Sequence, residues 1–240
     1  MKQENWYDVD TARGGDFSLS NAFPILMRKV FVWMTLALAI TGITAYGVAS
    51  SPAMVGMIFS SKVMFWGLII AEFGLVIAIS GAINRLSLAT ATLLFILYSV
   101  VNGATLSVIF LAYSTTVIAK TFFITAGTFG AMALVGYTTK TDLTSIGKLL
   151  FMALIGIIIA SVVNIFVGSS GLDLIISYVG VLVFVGLTAY DTQKIKEMCR
   201  MAPDAGESMQ KLALLGSLSL YLDFVNLFLY LLRIFGNNKN

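Results

Sequence analysis

A stripe of polar and small residues in the last apolar segment is the strongest sign of chemistry in this sequence. The segment Lys211–Arg233 is apolar enough to cross a bilayer, yet Asp223 lies near its middle. On a helix, spacings of three and four residues put the following residues on one face: Gly216, Ser219, Asp223, Asn226, Tyr230 and Arg233. A charged side chain at mid-membrane costs several kcal/mol, so Asp223 is a functional candidate.

Two further acids lie in or at the edge of apolar segments. Glu72 lies in the middle of the second segment, and Asp191 ends the sixth, just before Lys194. No residue near Glu72 or Asp223 in the sequence can neutralise it, which favours a functional role for both. Asp191 can equally be an ordinary interfacial residue beside Lys194, and Asn102 in the third segment is more typical of an interhelical hydrogen bond than of a ligand.

Two carboxylates that face one another from neighbouring helices would form a pH-dependent latch. In a low dielectric both cannot stay ionised, so the pair shares a proton when acid and separates, or takes a cation, when basic. Hard cations prefer such oxygens, so calcium suits the pair better than a soft metal. Residue counting puts Asp191 near the cytosolic edge and Asp223 about 16 Å in from Leu212. The two meet only if the sixth helix tilts or the seventh is set towards the cytosol.

Composition limits the classes to which the protein can belong. Of 240 residues, 58% are hydrophobic and 11% are charged, whereas a soluble domain carries about 25% charged residues. Continuous apolar runs predict an all-α integral membrane protein rather than a barrel. A single cysteine, Cys199, excludes an internal disulfide, and the absence of histidine excludes Ser-His and Cys-His catalysis and histidine-bound metals.

Seven apolar segments predict seven transmembrane helices, with edges at Val30–Ser50, Val63–Ile83, Leu86–Phe110, Thr121–Tyr137, Leu149–Val167, Leu174–Tyr190 and Leu212–Leu232. They form one domain, residues 30–235, between a polar arm, residues 1–29, and a short tail, residues 236–240. The arm is expected to be partly disordered or amphipathic. The segment Gly168–Gly171 predicts a tight turn, and Thr192–Gln210 is the only sizeable loop expected between spans. The sixth span is short, but its helical pattern continues past Asp191.

The distribution of positive charge predicts the orientation. With the N-terminus in the cytosol, most of the 15 Lys and Arg residues fall on the cytosolic side. Those left outside are Lys62, Lys120, Arg233 and Lys239. An odd number of spans then puts the C-terminus outside.

Two aspartate motifs give the chain a resemblance to a known family. GLTAYDTQKIK (Gly186–Lys196) and LYLDFVNLFLYLLRIFG (Leu220–Gly236) resemble the Bax inhibitor-1 family, also called the transmembrane Bax inhibitor motif family. The region Val30–Gly42 is similar to that family's first span, and Glu72 resembles an acid of its second. The likeness covers Arg28–Phe235.

The resemblance implies seven helices with the last at the centre of the other six, and a pH-sensitive passive calcium leak rather than an enzyme. It implies that Asp191 and Asp223 match the family's paired aspartates, the proton sensor, where calcium would also bind. Arg85 is comparable to a basic residue that can bond to that pair. The residues expected to line the pathway are Glu72, Asn102, Ser219, Asn226 and Tyr230. No catalytic residue, resident cofactor or nucleic-acid partner is expected, and the polar arm suggests a bacterial inner membrane protein.

Two other functions stay open from the sequence. The chain could be a membrane-embedded regulator that binds a membrane protease or cell-death proteins through its arm and the Thr192–Gln210 loop. It could also be an intramembrane aspartyl protease, since Tyr190-Asp191 matches that class's first motif. Against the protease, Leu220-Tyr221-Leu222 precedes Asp223 where the class has Gly-x-Gly, and its Pro-Ala-Leu segment is missing.

Overall fold

The chain folds as a bundle of helices. The computed structural model describes residues 6–202 and 206–236, with side chains from Phe23 onward, and this part contains no β-strand. Its helices are α1 (Trp6–Ala49), α2 (Pro52–Phe59), α3 (Lys62–Ala82), α4 (Leu88–Leu106), α5 (Val108–Ala112), α6 (Thr115–Thr138), α7 (Thr144–Val167), α8 (Ser170–Arg200) and α9 (Glu207–Gly236).

Seven helical segments in the described part are long and apolar enough to span a membrane. They are α1 from Phe23, α3, α4 together with α5 as Leu88–Ala112, α6, α7, α8 and α9. The prediction of an all-α, seven-helix membrane protein is therefore confirmed.

The last helix lies at the centre of the bundle. In the most apolar stretch of α9, 67% of the residues are buried, against 6% in the corresponding stretches of α3 and α7. α9 packs mainly on α8, α1, α6 and α4, while α3 lies against α4 and α7 against α8. Tyr221, Leu220 and Leu227 of α9 are fully buried. The predicted central position of the last helix is confirmed, with α3 and α7 forming the outer, lipid-facing part of the bundle.

Serine caps and one glycine define several helix ends. The hydroxyls of Ser51, Ser61, Ser87 and Ser169 accept the backbone N–H three residues on, which starts α2, α3, α4 and α8. Gly168 adopts a φ of 65° at the end of α7, a conformation that L side chains rarely take. The tight turn predicted at Gly168–Gly171 is thus a helix end followed at once by a cap.

The segment Thr192–Gln210, predicted as a loop, is helical for most of its length, and its first part follows the helical pattern that the sequence continues past Asp191. α8 continues nine residues past Asp191 to Arg200, and α9 begins at Glu207. Gln193 and Lys196 are buried in this extension, so tertiary packing holds a polar segment in a helix. The third span also differs from its prediction, because it breaks at Ser107 into α4 and α5.

Both ends of the predicted domain lie at the margin of the described residues. The backbone of α1 reaches back to Trp6, into the polar arm predicted for residues 1–29. Side chains before Phe23 lie outside the described residues, as do residues 237–240 of the predicted tail. The domain boundaries stay predictions.

The first turn of α9 is fastened to the turn between α3 and α4. Glu207 Oε1 accepts the backbone N–H of Leu88 at 3.0 Å, and Lys211 Nζ donates to the carbonyl of Leu86 at 3.0 Å. The two side chains lie 3.8 Å apart as an i,i+4 ion pair. This attachment fixes the start of the central helix.

Candidate functional site

The stripe of small and polar residues on α9 faces α8. Gly216 lies against Ile195, whose nearest side-chain carbon would be 3.1 Å from a Cβ at that position. Further along, the ring of Tyr230 stacks on that of Phe184 with a centroid separation of 5.8 Å. The contacts advance along α9 as they move back along α8, as expected for antiparallel neighbours. The stripe is therefore kept from lipid, as the sequence predicts.

An ion pair closes the far end of this interface. Arg233 NH1 donates to Asp173 Oδ1 at 3.2 Å, and both side chains are about half exposed. The guanidinium also lies 5.7 Å from the centroid of the Tyr230 ring. These contacts tie the end of α9 to the beginning of α8.

The structure brings the two predicted acids together between these ends. Asp223 is 5% exposed, and its charge interacts with that of Asp191 on α8. The Oδ2 atom of Asp223 has no hydrogen-bond partner in the described part of the chain. Asp191 is half buried, and the charge of Lys194 acts on it. Because α8 continues past Asp191, that residue lies about 14 Å from the helix end, which removes much of the expected difference in depth.

The α6–α7 hairpin holds the backbone next to Asp191. Gly136 of α6 lies so close to the carbonyl of Ala189 that a Cβ there would overlap it. Gly147 of α7 contacts the ring of Tyr190 just as closely. The two residues before Asp191 are therefore fixed from two sides, and these glycines carried no signal of that role in the sequence.

Two polar side chains of α8 fasten the loop of that hairpin. Gln193 Nε2 donates to the carbonyl of Thr141 at 2.7 Å. Lys196 Nζ donates to the carbonyls of Tyr137 at 2.9 Å and Thr139 at 3.3 Å. A cation at the C-terminus of α6 satisfies its last carbonyls and opposes the negative end of its dipole.

A second polar cluster lies on the opposite face of α9. The hydroxyl of Tyr221 donates to Asn102 Oδ1 at 3.0 Å and shares a hydrogen bond with Thr41 Oγ1 at 2.7 Å. Thr41 also donates to the carbonyl of Ser99 at 3.0 Å. The sequence did not single out Tyr221 for this role. The available signal was its position two residues before Asp223, which turns it to the other side of the helix.

Glu72 belongs to this second cluster and not to the aspartate pair. Its carboxyl lies within hydrogen-bonding reach of the side chains of Thr105 and Asn102, and its charge interacts with Tyr98 and Tyr221. Its Oε1 atom has no partner among the described residues. Two of the residues predicted to line the pathway, Glu72 and Asn102, therefore meet each other.

The remaining predicted residues have more local surroundings. Asn226 Nδ2 donates to the carbonyl of Leu222 in its own helix at 2.8 Å, and Ser219 is half buried. Arg85 is exposed, and within the described ranges it forms no ion pair with either aspartate. The predicted latch contact of Arg85 is thus not formed in this structure.

The described residues hold no group of three or more His, Cys, Asp or Glu side chains placed to bind a metal ion. The predicted calcium ligands, Asp191 and Asp223, therefore stand as a pair of carboxylates. Calcium takes about six to eight oxygen ligands, so this pair supplies only part of a coordination shell.

Comparison with known proteins gives consistent matches over most of the chain. A family model described as "Inhibitor of apoptosis-promoting Bax1" matches residues 24–240. The chain is 51% identical over 214 residues to inner membrane protein YbhL of Escherichia coli strain K12, covering 89% of this chain and 92% of that protein. An uncharacterized protein of Borreliella burgdorferi is also 51% identical, with the same coverage. An uncharacterized protein of Rickettsia prowazekii is 44% identical over 216 residues, covering 89% of this chain and 90% of the relative.

Proposed function

The chain belongs to the Bax inhibitor-1 family of membrane proteins, and on this basis we propose that it is a pH-sensitive passive leak pathway for calcium ions. The observation that carries the proposal is the buried carboxyl of Asp223, beside the second acid Asp191, with one oxygen that no described residue hydrogen-bonds. An unpaired buried acid is costly to keep and is favoured where a proton or a cation is exchanged.

Protonation of the pair would control the contact between α8 and α9. Two ionised carboxylates repel strongly in a low dielectric, and one shared proton removes that repulsion. The glycine contacts of the α6–α7 hairpin hold the α8 side in place. A change in the charge of the pair would therefore act on α9, the helix at the centre of the bundle.

Because two carboxylates coordinate calcium incompletely, the pair is better suited to let the ion pass than to hold it tightly. Calcium at this pair would keep several water ligands, since the pair supplies fewer oxygens than the ion prefers. Such a site binds an ion weakly enough to release it. The burial of Asp223, at 5% exposure, supports the assignment of this conformation as closed. No catalytic residue forms part of this proposal.

The proposal includes a location and an orientation. The Escherichia coli relative is named as an inner membrane protein, and we assign this chain to the same membrane in its own cell. The excess of Lys and Arg on one side supports a cytosolic N-terminus and an external C-terminus.

Calcium influx into liposomes tests the proposal. The full chain is reconstituted in calcium-free liposomes that hold a calcium dye, and influx is measured at several pH values. We expect influx that depends on pH for the wild type and loss of that dependence for Asp191→Asn and for Asp223→Asn. The idea is wrong if both variants keep the flux and the pH response of the wild type.

Asp142→Asn is the matched control. Asp142 lies outside the spans, and hydrogen bonds from Thr144 lower its pKa from the ordinary value. It therefore stays ionised at the pH values used, so its replacement should leave the pH response unchanged. Circular dichroism of each variant checks that the helical fold is kept.

A second candidate function is a membrane-embedded regulator that binds a membrane protease or a cell-death protein. The description of the matching family as an inhibitor of apoptosis-promoting Bax1 favours it. Co-purification of a partner that survives replacement of both aspartates, but not removal of residues 1–22, would support this function. A partner lost with the aspartates alone would count against it.

A further inference from the structure

We propose that a cleft at the end of the bundle formed by the C-termini of α6 and α8 binds a phosphate-bearing ligand, with an anionic phospholipid headgroup as the favoured source. The cleft lies on the face that we propose to be cytosolic. It is separate from the aspartate pair, and the proposal does not depend on calcium transport.

The cleft is large enough for a headgroup. Its volume is about 500 Å³, and it lies between the ends of α6 and α8, the loop between α6 and α7, and Phe23 of α1. Charged side chains line it, namely Lys140, Lys196 and Arg200 with Asp142 and Glu197. Three cations against two acids leave the lining with a net positive charge.

The acids of the cleft are already engaged. Asp142 Oδ1 accepts the backbone N–H of Thr144 at 2.8 Å, as expected of a carboxylate at the start of α7. Glu197 Oε1 lies 3.9 Å from both Lys196 Nζ and Arg200 NH1. Both acids keep their negative charge and oppose an incoming anion, so binding depends on the excess of cationic groups in the lining.

The cations of the cleft differ in their availability. Lys196 is 7% exposed, and its ammonium group donates hydrogen bonds to carbonyls at the end of α6. Lys140 is exposed and takes part in no ion pair within the described residues. Among the described residues, Arg200 forms one long ion-pair contact, with Glu197 at 3.9 Å, so these residues leave most of its five N–H donors free. Lys140 and Arg200 are the groups that can bind an incoming anion.

Aromatic contacts orient the arginine. The rings of Phe23 and Tyr137 stack with centroids 6.2 Å apart and planes inclined by 15°. The guanidinium of Arg200 lies 5.9 Å from the Phe23 centroid. A planar guanidinium held in one orientation binds phosphate oxygens in pairs, with less loss of side-chain freedom.

The position of the cleft favours lipid as the source of the phosphate. Aromatic residues such as Tyr137, at the end of a span, lie at the depth of the headgroups. The cytosolic leaflet carries the anionic lipids, and basic pockets between helix ends on that side bind their headgroups. The alternative is a solvated basic rim that serves only to orient the chain, and it predicts no selective binding.

Thermal unfolding of the full chain in a neutral detergent tests the proposal. The protein is titrated with lysophosphatidylglycerol, with lysophosphatidylcholine, and with inorganic phosphate. We expect a saturable rise in Tm with lysophosphatidylglycerol and none with lysophosphatidylcholine. The double variant Lys140→Gln/Arg200→Gln should bind roughly 25-fold more weakly, about five-fold for each cation lost. An equal rise with inorganic phosphate alone would identify free phosphate as the source.

Lys62→Gln/Lys120→Gln is the matched control, since it removes the same charge from exposed lysines at the opposite end of the bundle. It should keep wild-type affinity. The proposal is overturned if both lysolipids raise Tm equally, or if the two double variants behave alike.

Glu197→Gln gives a test of opposite sign. Its carboxylate lies between Lys196 and Arg200, so its removal frees cationic groups in the cleft. We expect lysophosphatidylglycerol to bind several-fold more tightly to this variant. Unchanged or weaker binding would contradict an anion site in the cleft.

Discussion

The polar groups on the two faces of α9 have opposite surroundings. Tyr221 and Asp223 are two residues apart, so their side chains point about 200° apart around the helix. Towards α1 and α4, the hydroxyl of Tyr221 is bonded to Thr41 and Asn102. Towards α8, Asp223 meets the like charge of Asp191, and its Oδ2 atom has no hydrogen-bond partner in the part of the chain that the structure describes.

The difference separates a structural polar cluster from a candidate functional one. Buried polar groups that satisfy one another hold helices in a defined register. A buried acid beside another acid stores unfavourable energy that a proton or a cation can release. Glu72 lies at the rim of the second polar cluster, and its Oε1 atom has no hydrogen-bond partner among the described residues. The hydrogen bonds of this cluster are therefore complete only around Tyr221. Stability should therefore depend on one face and pH response on the other.

The largest expected effect is the loss of the Tyr221 side chain. Tyr221→Ala removes a ring that is fully buried, so it leaves a cavity and takes one hydrogen-bond partner from each of Thr41 and Asn102. We expect the free energy of unfolding to fall by about 3–5 kcal/mol, measured by SDS titration in mixed micelles. Tyr178→Ala, on a ring that is 53% exposed, is the control and should change it little. Equal losses would show that the hydrogen-bonded cluster around Tyr221 does not stabilise the fold more than an exposed ring does.

A smaller loss of stability is expected where α6 packs against the α8 backbone next to Asp191. Gly136→Ala forces a methyl group into the carbonyl of Ala189, and overpacking of this kind costs about 1–3 kcal/mol. Gly130→Ala is the control in the same helix, because no described atom beyond its chain neighbours and the adjoining helix backbone lies within 4 Å of its Cβ position. The same SDS titration measures both variants, and a neutral Gly136→Ala would contradict the close contact.

The Tyr221 hydroxyl alone should contribute less. Tyr221→Phe keeps the ring and leaves Thr41 and Asn102 without their shared partner, so we expect a loss of about 1 kcal/mol. Tyr230→Phe is the control, since its hydroxyl takes no hydrogen bond in the part of the chain that the structure describes. If the two variants unfold alike, the Tyr221 network adds nothing beyond packing.

The smallest effect on stability is expected at the aspartate pair. Asp223→Asn keeps the shape of the side chain and removes one of two like charges, so unfolding in SDS should become no easier. Asp191→Asn should behave in the same way, and the double variant should gain less than the two single gains together, because each removes the same repulsion. A clear loss of stability in either single variant would show that the aspartate pair stabilises the fold, as the Tyr221 cluster does.

The spans and the stripe could be predicted from the sequence because both depend on local pattern. Continuous apolar runs define the helices, and the spacing around Asp223 defines a face that cannot lie in lipid. The helix that covers this face is set by packing between distant segments, so local pattern alone does not identify it. The resemblance implied α8, because it paired Asp191 with Asp223. A lysine near the cytosol, such as Lys196, is ordinary in sequence, and its burial depends on carbonyls that the α6 end presents. Tyr221 is likewise a common residue type in a membrane helix, and its partners lie on two other helices.

The anchored start of α9 makes this helix a lever with a fixed pivot. Glu207 and Lys211 attach its first turn to the α3–α4 turn. Asp223 lies about 24 Å along the helix from Glu207, and Arg233 about 39 Å. A small tilt about the pivot therefore displaces Arg233 by about 1.6 times as far as Asp223. A modest shift at the acid is magnified at the opposite membrane surface, where Arg233 meets Asp173.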